Sequence, residues 1–133
     1  MADPSPNITI PVSPGEVVDR LTILEIKTER MADAAQRANV RHELEQLSAV
    51  AQTAIPDSAE MRGLHAELKA INEKLWVIED DIRECERKGD FGDAFVALAR
   101  AVYRTNDERA GLKRRINEVL GSALIEEKSY APY

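Results

Sequence analysis

The sequence predicts an all-α protein: a long antiparallel helical hairpin with two shorter helices packed on it, in the manner of a four-helix bundle. Three observations predict it. Charged residues make up 32% of the chain and aromatics 5%, with few Gly and Pro, a composition that favours long helices. Apolar residues recur at spacings of three and four over most of the chain. From Met61 to Cys85 those spacings alternate without error, the repeat of a coiled-coil seam.

Residues 1–12 read as an extended N-terminal arm. Ile8, Ile10 and Val12 alternate with Thr9 and Pro11, and Pro11 bars a central-strand role. Ser13-Pro14-Gly15-Glu16 is a capping box with Pro at the first helical position. Val17, Leu21, Leu24, Thr28 and Met31 then form the apolar face of helix one. Val40, Leu44, Leu47 and Ala51 form a second stripe out of register with the first. That slip predicts a break near Ala32–Ala34 with Asp33 as the next cap, or else a single bent helix. Ile55-Pro56-Asp57-Ser58 ends helix two and starts helix three.

Helix three carries Met61, Leu64, Leu68, Ile71, Leu75, Ile78, Ile82 and Cys85 on its seam and closes at Gly89. Helix four repeats the pattern with Phe91, Phe95, Leu98, Val102, Thr105, Arg109, Leu112, Ile116 and Val119, and Gly121 ends it. The short Lys88-Gly89-Asp90 connection makes the two antiparallel neighbours. Residues 122–133 form a tail whose two Tyr are placed to dock. The whole chain, 1–133, is expected to be one helical domain.

The composition narrows function mostly by exclusion. Eighteen Lys+Arg against 24 Asp+Glu give a net charge of -6, which disfavours general nucleic-acid or anionic-membrane binding. No apolar run approaches the roughly 20 residues of a membrane span. The N-terminus has neither the basic nor the apolar region of a secretory signal. The single Cys85 excludes an internal disulfide and fits a reducing compartment, so a cytoplasmic location is expected. There is no phosphate-binding glycine loop and no His pair with zinc spacing, and neither cofactor nor metal is expected. Glu16 with Asp19, and Glu79 with Asp80, have the look of helical magnesium-binding carboxylates. In so acidic a chain such pairs also arise by chance.

Several polar residues interrupt the core pattern. On a helical wheel centred on Leu21, Glu25 falls about 40° away, inside the apolar face, whereas Asp19 falls roughly opposite. Thr105 and Arg109 occupy seam positions of helix four. A buried charge must be paired or functional, and Glu25 is expected to pair with Arg109. On one flank of the hairpin His65, Asn72, Trp76, Glu79 and Arg83 face Tyr103, Asn106 and Lys113. Glu25, Glu79, Arg83, Tyr103, Asn106 and Arg109 are therefore the candidate polar cluster. Each also has an ordinary reading, such as a surface i,i+4 pair for Glu79 and Arg83. The opposite flank carries Ala94, Ala97, Ala101 and Gly111, where another helix can approach closely.

The stretches VSPGEVVDRLTILEIK, LWVIEDDIRECE, FVALARAVYRTNDERAGLKRRIN and EEKSY together resemble a small bacterial family known as a domain of unknown function. The resemblance runs from about Ile8 to Tyr133. Family members tend to carry Pro where this chain has Ala34, which implies a break between helices one and two. The resemblance also implies modules found alone or beside glycosyltransferase and repeat proteins. It brings no established activity, cofactor or catalytic residue.

The leading expectation is a helical binding or assembly module that forms a homodimer or serves a protein partner. The alternative is a small-molecule or anionic-metabolite enzyme, acting on a phosphate or nucleotide-sugar ligand at the polar cluster. There Glu25 or Glu79 would be the base, Arg83 and Arg109 the anion clamps, and Tyr103 and Asn106 the orienting donors.

Overall fold

A computed structural model describes residues 7–133. The described residues contain four helices and no strand: α1 (Pro14–Arg30), α2 (Ala34–Ala54), α3 (Ala59–Lys88) and α4 (Asp93–Val119). The first half of the arm, residues 1–6, lies outside the described residues. Ile8, Ile10 and Val12 follow it, all exposed and none in a strand.

Local chemistry sets the helix ends. The Ser13 hydroxyl accepts from the Glu16 amide at 3.2 Å. The Glu16 carboxylate does not close the box; it reaches Arg20 and Lys113 instead. Met31 leaves the helix in extended conformation, and Asp33 caps α2 by accepting from Gln36 N at 2.8 Å. The break is therefore real, and the bent-helix alternative is excluded. Ser58 caps α3 in the same way. Gly89 adopts φ 68°, so Asp90 N bonds back to Cys85 O at 2.9 Å and ends α3 tightly. Gly121, at φ 65°, ends α4 with the equivalent bond from Ser122 N to Asn117 O. Phe91, expected on the helix-four seam, precedes that helix, because Gly92 is its cap.

The two long helices form the predicted hairpin. α1 lies against it and touches all three other helices, whereas α2 packs on α1 alone. Seventeen residues of α1 span about 25 Å, against about 45 Å for α3. Contacts place α1 along the open end of the hairpin, with Gly15 against Asn117, Glu25 against His65 and Arg30 within 4.0 Å of Glu73. The core gathers there: Val18, Met61, Leu64, Leu68 and Ile116, with Ile55, Leu112 and Leu120 against them. Toward the hairpin turn the cover ends. No residue between Ile78 and Thr105 is buried, although Ile82, Cys85, Phe95, Leu98 and Val102 continue the seam.

Gly15 lets α1 enter this close. A Cβ there would collide with the Lys113 carbonyl oxygen and crowd Asn117 Oδ1. The Gly15 amide instead donates to Asn117 Oδ1 at 2.7 Å. One of the unpaired donors at the start of α1 is satisfied by α4.

Candidate functional site

α1 is buried on two sides, and one of them is polar. Asp19 and Thr22 are 1% and 0% exposed, and they face α3 and α4. Asn72 Nδ2 donates to Asp19 Oδ1 at 2.9 Å and to Thr22 Oγ1 at 2.8 Å. Thr22 Oγ1 donates to the Asp19 carbonyl oxygen. Arg109 closes the network with a two-pronged bond, Nε to Asp19 Oδ1 at 2.9 Å and Nη2 to Asp19 Oδ2 at 2.5 Å. Those bonds hold the Arg109 pKa above the usual arginine value despite partial burial.

One turn away on α4, Lys113 sits between Glu16 and Glu126, 2.9 Å from each, with its side chain only 12% exposed. Burial pulls its pKa down, and the two carboxylates more than reverse that, so the net shift is upward. Glu126 belongs to the tail, which turns back along α4. Glu127 reaches Arg114, and Tyr133 donates to Asp107 while its ring meets Tyr103 edge-on.

Two clefts adjoin this network. The main one, about 460 Å³, has Ile23, Ile26 and Leu75 in its lining beside Trp76, Asn72, Glu79, Asp80, Arg83, Asn106 and Arg109. A smaller one, about 170 Å³, lies between α4 and the tail. It shares Asn106 and Arg109 with the first. Among the described residues, the Asp80 carboxylate, the Asn106 amide and Arg109 Nη1 have no hydrogen-bond partner. A third and larger cleft, about 750 Å³, opens between α1, the end of α2 and the start of α3. Its charged groups are already paired, Glu25 with His65 and Asp57 with Arg62.

Four of the six expected cluster residues, Glu79, Arg83, Asn106 and Arg109, line the main cleft together. Glu25 does not join them. It lies in the third cleft, 2.8 Å from His65 Nε2 and 3.5 Å from Lys69 Nζ. Burial raises its pKa, but the bond to His65 and the nearby cations outweigh that and leave it below the ordinary carboxylate value. The carboxylate that pairs with Arg109 is therefore Asp19, not Glu25. Tyr103 is also apart; it is 41% exposed and meets the tail rather than the cleft. Glu79 and Arg83 make the plain surface pair at 3.4 Å.

Asp19 and Thr22 escape a helical wheel that allows α1 a single buried face, and Lys113, on the expected polar flank, falls outside the candidate cluster. The signal that could have found them was the seam itself. Arg109 in a core position demands a carboxylate, and Asp19 with Thr22 faces away from the apolar stripe as one polar patch. Among the described residues no group of three or more His, Cys, Asp or Glu is placed to hold a metal ion. No helix of the described chain is long and apolar enough to cross a membrane.

Comparison with known families matches the chain to a family of unknown function, DUF6165, over residues 8–132. The chain belongs to that family. The match covers the network, all three clefts and the tail as far as residue 132, so the site lies within the DUF6165 unit. No curated protein and no solved structure matches the chain.

Proposed function

We propose that this DUF6165 chain is a small-molecule-binding helical module whose ligand occupies the main cleft. One observation carries the reading. Arg109 is pinned on two nitrogens by the buried Asp19, keeps Nη1 unbonded, and borders a cleft with an apolar floor. A buried ion pair adds little net stability compared with apolar residues of the same volume. Beside a cleft it also holds the guanidinium in one orientation before a ligand arrives. The volume falls within the range of small-ligand sites, and mostly apolar walls with a few placed polar groups are their usual make-up. The ligand is a compact organic molecule with a flat or apolar face for Trp76 and polar groups for Asp80, Asn106 and Arg109. Glu79 lies exposed and paired with Arg83, so the arrangement favours binding over proton transfer.

Trp76 is the only tryptophan, so its emission reports the cleft directly. Fragments that shift it should lose affinity about tenfold in Arg83→Ala and Asp80→Asn. The reading is wrong if every such fragment binds both variants as it binds wild type.

A second reading, self-association, is favoured by a different observation. Gly63 and Gly111 lie inside α3 and α4 with nothing within 4 Å of where a Cβ would stand. Each costs its helix about 1 kcal/mol relative to Ala. By the heptad spacing they share a flank with Ala70, Ala94, Ala97 and Ala101, opposite Asn72 and Asn106. A second copy can approach closely there, leave the clefts open, and cover the half-buried end of the seam. Light scattering should then give twice the monomer mass, and Ala97→Arg should halve it. A monomer at high concentration removes this reading. A cytoplasmic setting fits the lone Cys85.

A further inference from the structure

We infer that the smaller cavity, between α4 and the C-terminal tail, takes the phosphoryl group of the ligand, with Asn106, Arg109, Lys113 and Lys128 as donors and Glu126 as the group displaced. The inference rests on reading the main cleft as the place of the ligand's body. The lining of this cavity is Asn106, Arg109, Ala110, Lys113, Glu126 and Lys128, and its volume is about 170 Å³. That volume is ample for one tetrahedral oxyanion. Three cations and an amide face one carboxylate across it.

The present bonding leaves donors over. Arg109 spends Nε and Nη2 on Asp19 and keeps Nη1. The Asn106 amide is unbonded among the described residues. Lys128 has no carboxylate partner there; its ammonium stands 5.9 Å from the Tyr130 ring centre. Glu126 satisfies only Lys113. A carboxylate offers two oxygens and one charge, whereas a phosphoryl group offers three oxygens and up to two charges. The latter can meet Lys113, Lys128 and Arg109 Nη1 together.

Position supports the same assignment. Arg109 and Asn106 border both cavities, so a ligand body beside Trp76 can extend its phosphoryl group past them. Glu16, the other carboxylate on Lys113, belongs to α1 and stays. Glu126 belongs to the tail and is half exposed, so it can leave. The tail remains tied to α4 through Arg114–Glu127 and Tyr133–Asp107 while Glu126 lets go.

The test is calorimetric titration of the full chain with inorganic phosphate, at constant ionic strength and with chloride as control. Phosphate should bind wild type, about tenfold more weakly in Lys128→Ala, and several-fold more tightly in Glu126→Gln. Lys128 is exposed, so the first variant keeps its fold. Absence of phosphate binding, indifference to Lys128→Ala, or weaker binding in Glu126→Gln would each overturn the inference. The two readings fail separately. If phosphate fails while fragments still report through Trp76 and depend on Arg83, only this inference falls. If phosphate binds as stated but no compound reaches Trp76, the main-cleft reading falls and the anion site stands.

Discussion

Arg109 of α4 spans the oxygens of Asp19 on α1, a carboxylate that is 1% exposed and 90 residues away in the chain. It ties the first helix to the last. Two cavities open on either side of the same guanidinium.

Asp19→Ala should therefore destabilise the protein by about 3 kcal/mol, because it strands a partly buried cation. Glu25→Ala should lose less, about 1 kcal/mol, since its partners His65 and Lys69 keep access to water. Urea unfolding of the two variants gives the comparison. The double change Asp19→Leu with Arg109→Leu should recover most of the loss. Equal losses for Asp19→Ala and Glu25→Ala would contradict the assignment of the core pair.

This contrast also marks how far the sequence can be read. The hairpin was legible because the seam alternates without error from Met61 to Cys85, and because Ser13, Asp33, Ser58 and Gly89 act as the caps they resemble. The identity of the buried carboxylate was not legible. A hydrophobic wheel treats the side away from the apolar stripe as solvent, and α1 has no solvent on that side at Asp19. The polar face packs because α3 and α4 present Asn72 and Arg109 to it. Such matching is a property of three helices together and leaves no period in any one of them.

The glycines should separate by sign. Gly15→Ala should cost about 1–3 kcal/mol, because the Cβ meets a backbone oxygen of α4 that cannot move alone. Gly63→Ala and Gly111→Ala meet open space and should each add about 0.5–1 kcal/mol. Thermal melts of the three single variants decide it.

Acid should loosen the contact between α1 and α3. The Glu25 pKa lies below its ordinary value of 4.5 in the folded chain, chiefly through His65 against the opposing effect of burial. A depressed carboxylate contributes stability that is present above the unfolded value and lost as pH falls through the folded one. Glu16, held down mainly by Lys113, adds to the same limb. The urea midpoint should fall below about pH 4.5, and Glu25→Gln should flatten that fall. At the alkaline end, Lys113 is raised above 10.5, so its contribution is lost only as pH rises past that value.

The tail contact has its own reporter. The Tyr133 hydroxyl donates to Asp107, which holds its pKa above 10.0. Asp107→Asn should bring it down, read from the ring chemical shifts of Tyr133 against pH. An unchanged titration would mean that the tail end does not rest on α4 in solution.

That α1 touches every other helix, and α2 only α1, also has a consequence in time. The α3/α4 hairpin joins neighbours in sequence and can form from local contacts. Gly15–Asn117 and Asp19–Arg109 must close loops of about a hundred residues, an entropic barrier that local pairing does not face. Docking of α1 on α4 is thus expected late in folding, whereas α2, joined to α1 by three residues and touching only it, can pair with α1 beforehand. A nascent chain meets these segments in the opposite order: α1 and α2 are made before α3 and α4, and α1 must wait for its partners on α4 until that helix is synthesised. The main cleft, lined by α1, α3 and α4, comes into being only at that closure, so its binding competence and the docking of α1 are a single event.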